Sequence, residues 1–82
     1  MLIEVWGPGC ARCLQTAQTI ERVLRQLGRR AGEDYHLQKI DDPRAIALRK
    51  LVTPAVVIDG QVVWQGSVPT ADQVKVWLGA RP

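Results

Sequence analysis

"AVVIDGQVVW", residues 55–64, sets two valine-rich runs on either side of Asp59-Gly60. Branched side chains pack well on a pleated surface, so each run reads as a strand. Asp-Gly is a pair that a two-residue hairpin turn favours, because both turn positions need a positive φ. The stretch therefore predicts two antiparallel strands joined by a tight turn.

Downstream, Gly66 predicts a bend where the last strand passes close to another backbone. Thr70 and Gln73 have capping-box spacing, and Ala71, Val74, Trp77 and Leu78 form one apolar stripe before Gly79. This predicts a closing helix. Upstream, Asp42 offers an N-cap oxygen and Pro43 suits the first helical position, which predicts a short helix from Pro43 to about Lys50. "YHLQKI", residues 35–40, reads as a strand with poor alternation.

From Ala11 onward, Leu14, Ala17, Ile20, Val23, Leu24 and Leu27 recur at spacings of three and four. Polar residues hold the other side, and Glu21 and Arg25 stand four apart, so a long amphipathic helix is predicted. Glycine accepts the left-handed conformation that ends helices, which places the stop between Gly28 and Gly32. Residues 1–6 alternate, with Leu2, Glu4 and Trp6 on one face and Met1, Ile3 and Val5 on the other; Gly7 ends this first strand. The predicted order is β-α-β-α-β-β-α. A helical crossover makes the first two strands parallel, whereas the hairpin is antiparallel. The fold class is thus α/β, a four-stranded mixed sheet with helices on both faces.

At 82 residues the chain has room for one small core, so a single domain spanning residues 1–82 is expected. A hydrophobic content of 46% and a charged content of 23% are ordinary for globular proteins and argue against a disordered or fibrous chain. No stretch has the length of a membrane span and the start lacks a signal-peptide pattern, so a cytoplasmic location without membrane attachment is expected. A monomer is the expected state. The net charge of +3 owes much to Arg22, Arg25, Arg29 and Arg30. Trp6, Tyr35, Trp64 and Trp77 do not interleave with that run, which counts against a nucleic-acid surface and leaves a solvated helix face or an acidic protein partner.

Cys10 and Cys13 fall at the junction between the first strand and the long helix, in "WGPGCARCL", residues 6–14. In a reducing compartment a close pair points to catalysis or metal, and a bridge closing so small a loop would stabilise little. Cysteines three apart at a helix start lie on one side of the first turn, within reach of each other. The helix dipole and the unpaired amides favour a thiolate at Cys10, with Arg12 adding charge in the same sense. Gly7, Pro8 and Gly9 make a narrow turn that leaves Cys10 reachable by another protein's disulfide.

"GPGCARC", "TPAVVIDGQVV" and "GSVPT", together with this element order, resemble the small thioredoxin-like proteins sometimes called redox-active disulfide proteins. The resemblance covers nearly the whole chain. It implies a minimal, glutaredoxin-sized thioredoxin-like fold and a thiol-disulfide oxidoreductase or electron carrier. Cys10 would be the exposed attacking thiolate and Cys13 the buried resolving thiol. Pro54 would be a cis-proline, and the Thr53 backbone would hold the substrate as an added strand. Gly9 and Arg12, at positions where thioredoxin itself has other residues, would line the substrate side. The implied partners are protein disulfides and an upstream reductase, with no organic cofactor.

Trp6 and Glu4, four and six residues before Cys10, fall where thioredoxin carries a tryptophan and a buried acid that assists proton transfer at the resolving thiol. A carboxylate on a central strand is costly to bury unpaired, the setting that makes a general base. The alternative is that Glu4 reaches a lysine or water at the sheet's end.

Two thiolates also suit a soft-metal or metalloid binding module. A closed zinc site wants four ligands, and the only histidine, His36, lies on a different predicted element, so a tight site would need a second chain or an outside thiol. Copper-carrier domains with the same cysteine spacing usually have Met where this chain has Pro8. His36, Trp64 and Trp77 are read as strand-edge and packing residues, and no metal ligands are assigned.

Overall fold

The computed structural model describes residues 1–9 and 11–79. Seven elements follow in the predicted order: β1 (Leu2–Trp6), α1 (Ala11–Gln26), β2 (His36–Ile40), α2 (Pro43–Arg49), β3 (Ala55–Ile58), β4 (Gln61–Gln65) and α3 (Ala71–Gly79). The four strands form one sheet in the order β2-β1-β3-β4. β1 runs parallel to β2 and antiparallel to β3, and β3 runs antiparallel to β4. This is the minimal α/β thioredoxin-like fold with a mixed sheet.

Local chemistry accounts for the element boundaries. Asp59 and Gly60 turn the hairpin with φ of 50° and 86°, as a two-residue turn between right-twisted strands requires. The Asp42 carboxylate accepts from the Arg44 amide at 3.0 Å at the head of α2. Lys50, which the sequence reading places as the last helical residue, instead caps α2 with φ of 53°. At α3 the Gln73 amide donates to the Thr70 hydroxyl at 3.2 Å, and the Gln73 side chain accepts from the Thr70 amide at 2.8 Å. Both halves of the capping box are therefore closed. α1 ends before Gly28, whose φ is 75°, and the Arg29 amide donates back to Leu24 at 2.9 Å.

Alternation along β1 divides the core in two. Paired residues of neighbouring strands share a face, so Ile3 opposite Ile58 and Val5 opposite Val56 point together. They pack with Cys13, Ala17, Ile20, Val23 and Leu24 of α1 and with Val74 and Leu78 of α3. Burying each aliphatic side chain of this size contributes roughly 1.5–3 kcal/mol. On the opposite face Trp6, Ala55 and Val57 pack against Ala45 and Ile46 of α2, with Ile40 and Leu51. Helices thus cover both faces.

Residues assigned no site role pack as expected. The rings of Trp64 and Trp77 are 5.6 Å apart and tilted by 40°. His36 is exposed on β2, an edge strand. Arg22, Arg25 and Arg30 are exposed, and Arg29 is half-buried. No helix among the described residues is long and apolar enough to cross a membrane.

Candidate active site

The site begins where β1 leaves the sheet. Gly7 prolongs the pairing with β2 by one residue, its amide donating to the Ile40 carbonyl at 2.9 Å. It is buried, and a β-carbon added there would overlap the sulfur of Cys13. The same atom would stand 3.5 Å from Cys13 Cβ and 3.6 Å from Thr53 Cβ. Gly7 therefore lies between Cys13 and the loop before β3, and only hydrogen fits on its α-carbon. Gly9 is glycine for a different reason: its φ is 78° and nothing lies within 4 Å of where a side chain would start.

The expected attacking thiol, Cys10, lies outside the described residues. Cys13, the third residue of α1, is 5% exposed and packs in the core beside Val5. Its amide belongs to the first turn, whose N–H groups lack intrahelical acceptors. One turn on, the fully buried Thr16 donates its hydroxyl to the Arg12 carbonyl at 2.8 Å, which keeps a polar group satisfied beneath the cysteine. The Arg12 side chain is exposed.

The Thr53–Pro54 peptide bond is cis, and Pro54 is fully buried. Gly66 clamps this loop, with its amide donating to the carbonyls of Val52 at 2.9 Å and Pro54 at 3.1 Å. Gln65 adds a second tie, accepting from the Val52 amide at 3.0 Å through its side chain. Gly66 is thus the close-approach residue expected from the sequence. Between the clamped carbonyls, the Thr53 backbone groups have no hydrogen-bond partner among the described residues.

Two hollows flank these residues. A cavity of about 140 Å³ is lined by Val5, Gly7, Cys13, Leu14, Lys39 and Asp41, with Gly9 at its edge. A groove of about 290 Å³ runs beside it, with Pro8, Asp41, Ile46, Leu51 and Thr53 among its walls. Asp41 belongs to both.

Glu4 is not brought to Cys13. It pairs with Val57 and shares the face of Trp6, the face that α2 covers, whereas Cys13 packs with Val5 on the other side of the sheet. Glu4 is only half-buried there. The charged residues that do reach the cysteine cavity, Lys39 and Asp41, were missed by the sequence reading. Parallel pairing of Val5 with Lys39 puts Lys39 on the α1 face, and that register is invisible in the poorly alternating "YHLQKI". Among the described residues no three His, Cys, Asp or Glu side chains gather as a metal-ligand set.

The chain matches the family model described as Thioredoxin domain over residues 1–79. It is 31% identical over 75 residues to a protein named Thioredoxin from Methanocaldococcus jannaschii, covering 92% of this chain and 83% of the relative. It is 29% identical over 76 residues to a protein named Thioredoxin from Methanothermobacter thermautotrophicus, covering 92% of this chain and 94% of the relative. No solved structure matches.

Proposed function

This chain belongs to the thioredoxin domain family and is a thioredoxin-like redox protein, and from that premise we propose that it reduces protein disulfides through Cys10 and Cys13. The Cys10 thiolate attacks one sulfur of a target disulfide; that bond breaks, a mixed disulfide forms, and the displaced target sulfur leaves as a thiolate. Cys13 loses its proton and attacks the Cys10 sulfur, releasing the second target thiolate. Two electrons pass to the target, and the chain is left with a Cys10–Cys13 disulfide that an upstream dithiol reductase reopens. The cycle needs no organic cofactor, and a reducing cytosol would keep the pair loaded.

The observation that carries this reading is the convergence at Gly7. A buried cysteine at the third position of α1 and the threonine of a cis-proline loop both abut one glycine that has no room for a side chain. The roles also suit a division between a reachable thiol and a shielded one, since Cys13 is 5% exposed. The substrate would lie along the loop, its backbone pairing with the unpartnered groups of Thr53 as an added strand. Its side chains would enter the neighbouring groove, past Pro8 and Gly9, with Arg12 at the exposed rim.

Single-cysteine variants test the assignment. With a protein disulfide as substrate and a dithiol as electron source, Cys10→Ser abolishes reduction, whereas Cys13→Ser accumulates a covalent complex with the target, seen by mass spectrometry and dissolved by reductant. Equal and slow alkylation of both thiols at neutral pH would overturn the proposal.

A further inference from the structure

In the cycle just proposed, Cys13 must give up a proton in a nearly dry setting before it can attack. The turns of its own helix next to it offer no base: Arg12 is cationic and exposed, the buried Thr16 hydroxyl is spent on the Arg12 carbonyl, and Glu21 stands more than two turns further along. The loop before β3 presents Thr53 and Pro54, neither of which takes a proton at neutral pH, and Asp72 and Lys75 of α3 are exposed. Glu4 is on the far face of the sheet. That leaves the wall formed by the end of β2.

There the Gly7 amide bonds to the carbonyl of Ile40, the last residue of β2. Ile40 packs with Trp6 on the α2 face, so its strand neighbour Lys39 turns to the α1 face; Asp41, just past the strand, lines the cavity with Lys39 and Cys13 and also the adjoining groove. Asp41 is exposed and makes no ion pair among the described residues. A cavity of about 140 Å³ has room for water between carboxylate and sulfur. We propose that Asp41 is the proton acceptor for Cys13 in the resolving step, taking the S–H proton directly or through a water in this cavity and passing it to solvent from the cavity's mouth.

The step balances simply. The Cys13 S–H bond breaks, the proton moves to an Asp41 oxygen, and the sulfur keeps the electron pair with which it attacks Cys10. Lys39, on the same wall, compensates the negative charge left on sulfur, and Lys50 borders Asp41 across the adjoining groove. A carboxylate placed here acts only on the second half of the reaction, because the first uses the thiol already present as thiolate.

The inference rests on the two-cysteine cycle, and a chromogenic aromatic disulfide, dithiobis-nitrobenzoate, separates the two claims. The reduced protein releases one coloured thiolate when Cys10 attacks and a second when Cys13 resolves the mixed disulfide. Asp41→Asn slows the second release relative to the first by about a hundredfold at neutral pH. In that variant the second release accelerates by about tenfold per pH unit, as hydroxide takes over, and Asp41→Glu restores most of the rate. An unchanged thermal midpoint certifies the fold. A second release at the unmodified rate and pH profile in Asp41→Asn overturns the Asp41 assignment alone. Absence of two successive releases in the unmodified protein overturns the exchange cycle and this inference together.

Discussion

Gly7 and the sulfur of Cys13 compete for one position: a methyl group on the glycine would occupy the space that the sulfur fills. The Cys13 sulfur therefore fills the space left on the strand side by an absent side chain, and Thr53, from a loop more than forty residues beyond Gly7, borders the same space.

Gly7→Ala is expected to destabilise the protein by about 1–3 kcal/mol, the usual cost of overpacking a filled core. Gly9→Ala meets no neighbour within 4 Å and costs only the left-handed backbone penalty of roughly 1–2 kcal/mol. Asparagine tolerates that conformation, so Gly9→Asn recovers part of the loss while Gly7→Asn is worse than Gly7→Ala. Urea denaturation of the four variants measures the contrast, and equal rescue by asparagine at both positions would contradict the crowding at Gly7.

Glu4→Gln is expected to leave the rate of disulfide reduction within about twofold of the unmodified protein, because its face of the sheet is not the face of Cys13. Single-turnover kinetics against a protein disulfide measure it. A loss comparable to that predicted for Asp41→Asn would return the proton-handling role to Glu4.

Asp59 does more than turn the hairpin. Its carboxylate accepts from the Leu2 amide at 2.8 Å and its own amide donates to the Leu2 carbonyl at 2.8 Å, fastening the start of β1 to the turn. Asp59→Gly keeps the positive φ and loses the side-chain bond, so the variant isolates a contribution of about 1.5–3 kcal/mol from a hydrogen bond to a charged acceptor. Asp59→Asn retains an acceptor and loses less. Hydrogen exchange at the Leu2 amide reports the site directly, and unaltered protection in Asp59→Gly would rule the bond unimportant.

Thr70→Ala removes one half of the capping box of α3 and is expected to cost about 1 kcal/mol. Val74 and Leu78 bring α3 onto α1, so the loss appears in global thermal stability rather than as fraying of the last helix alone. An unchanged midpoint would show that packing of these two residues holds α3 without its cap.

Much of this architecture is local and could be read from neighbouring residues. Asp59-Gly60 marks its hairpin, Thr70 and Gln73 their capping box, and Asp42-Pro43 the head of α2, because each uses atoms within three residues of one another. The cysteine spacing before a long amphipathic helix likewise pointed to a redox pair, of which Cys10 lies outside the described residues. Alternation even showed that Glu4 and Trp6 share a face.

What alternation could not say is which face α1 would cover, since the two faces of an isolated strand are equivalent until the crossover and the register with β2 and β3 choose between them. That choice, made by where Ile3 and Val5 bury together with α1 and α3, separates Glu4 from Cys13. The same choice turns Lys39 to the face of the sulfur from more than twenty-five residues away, and Asp41 borders the same cavity. Chain chemistry thus named the cysteines, while packing selected the company they keep.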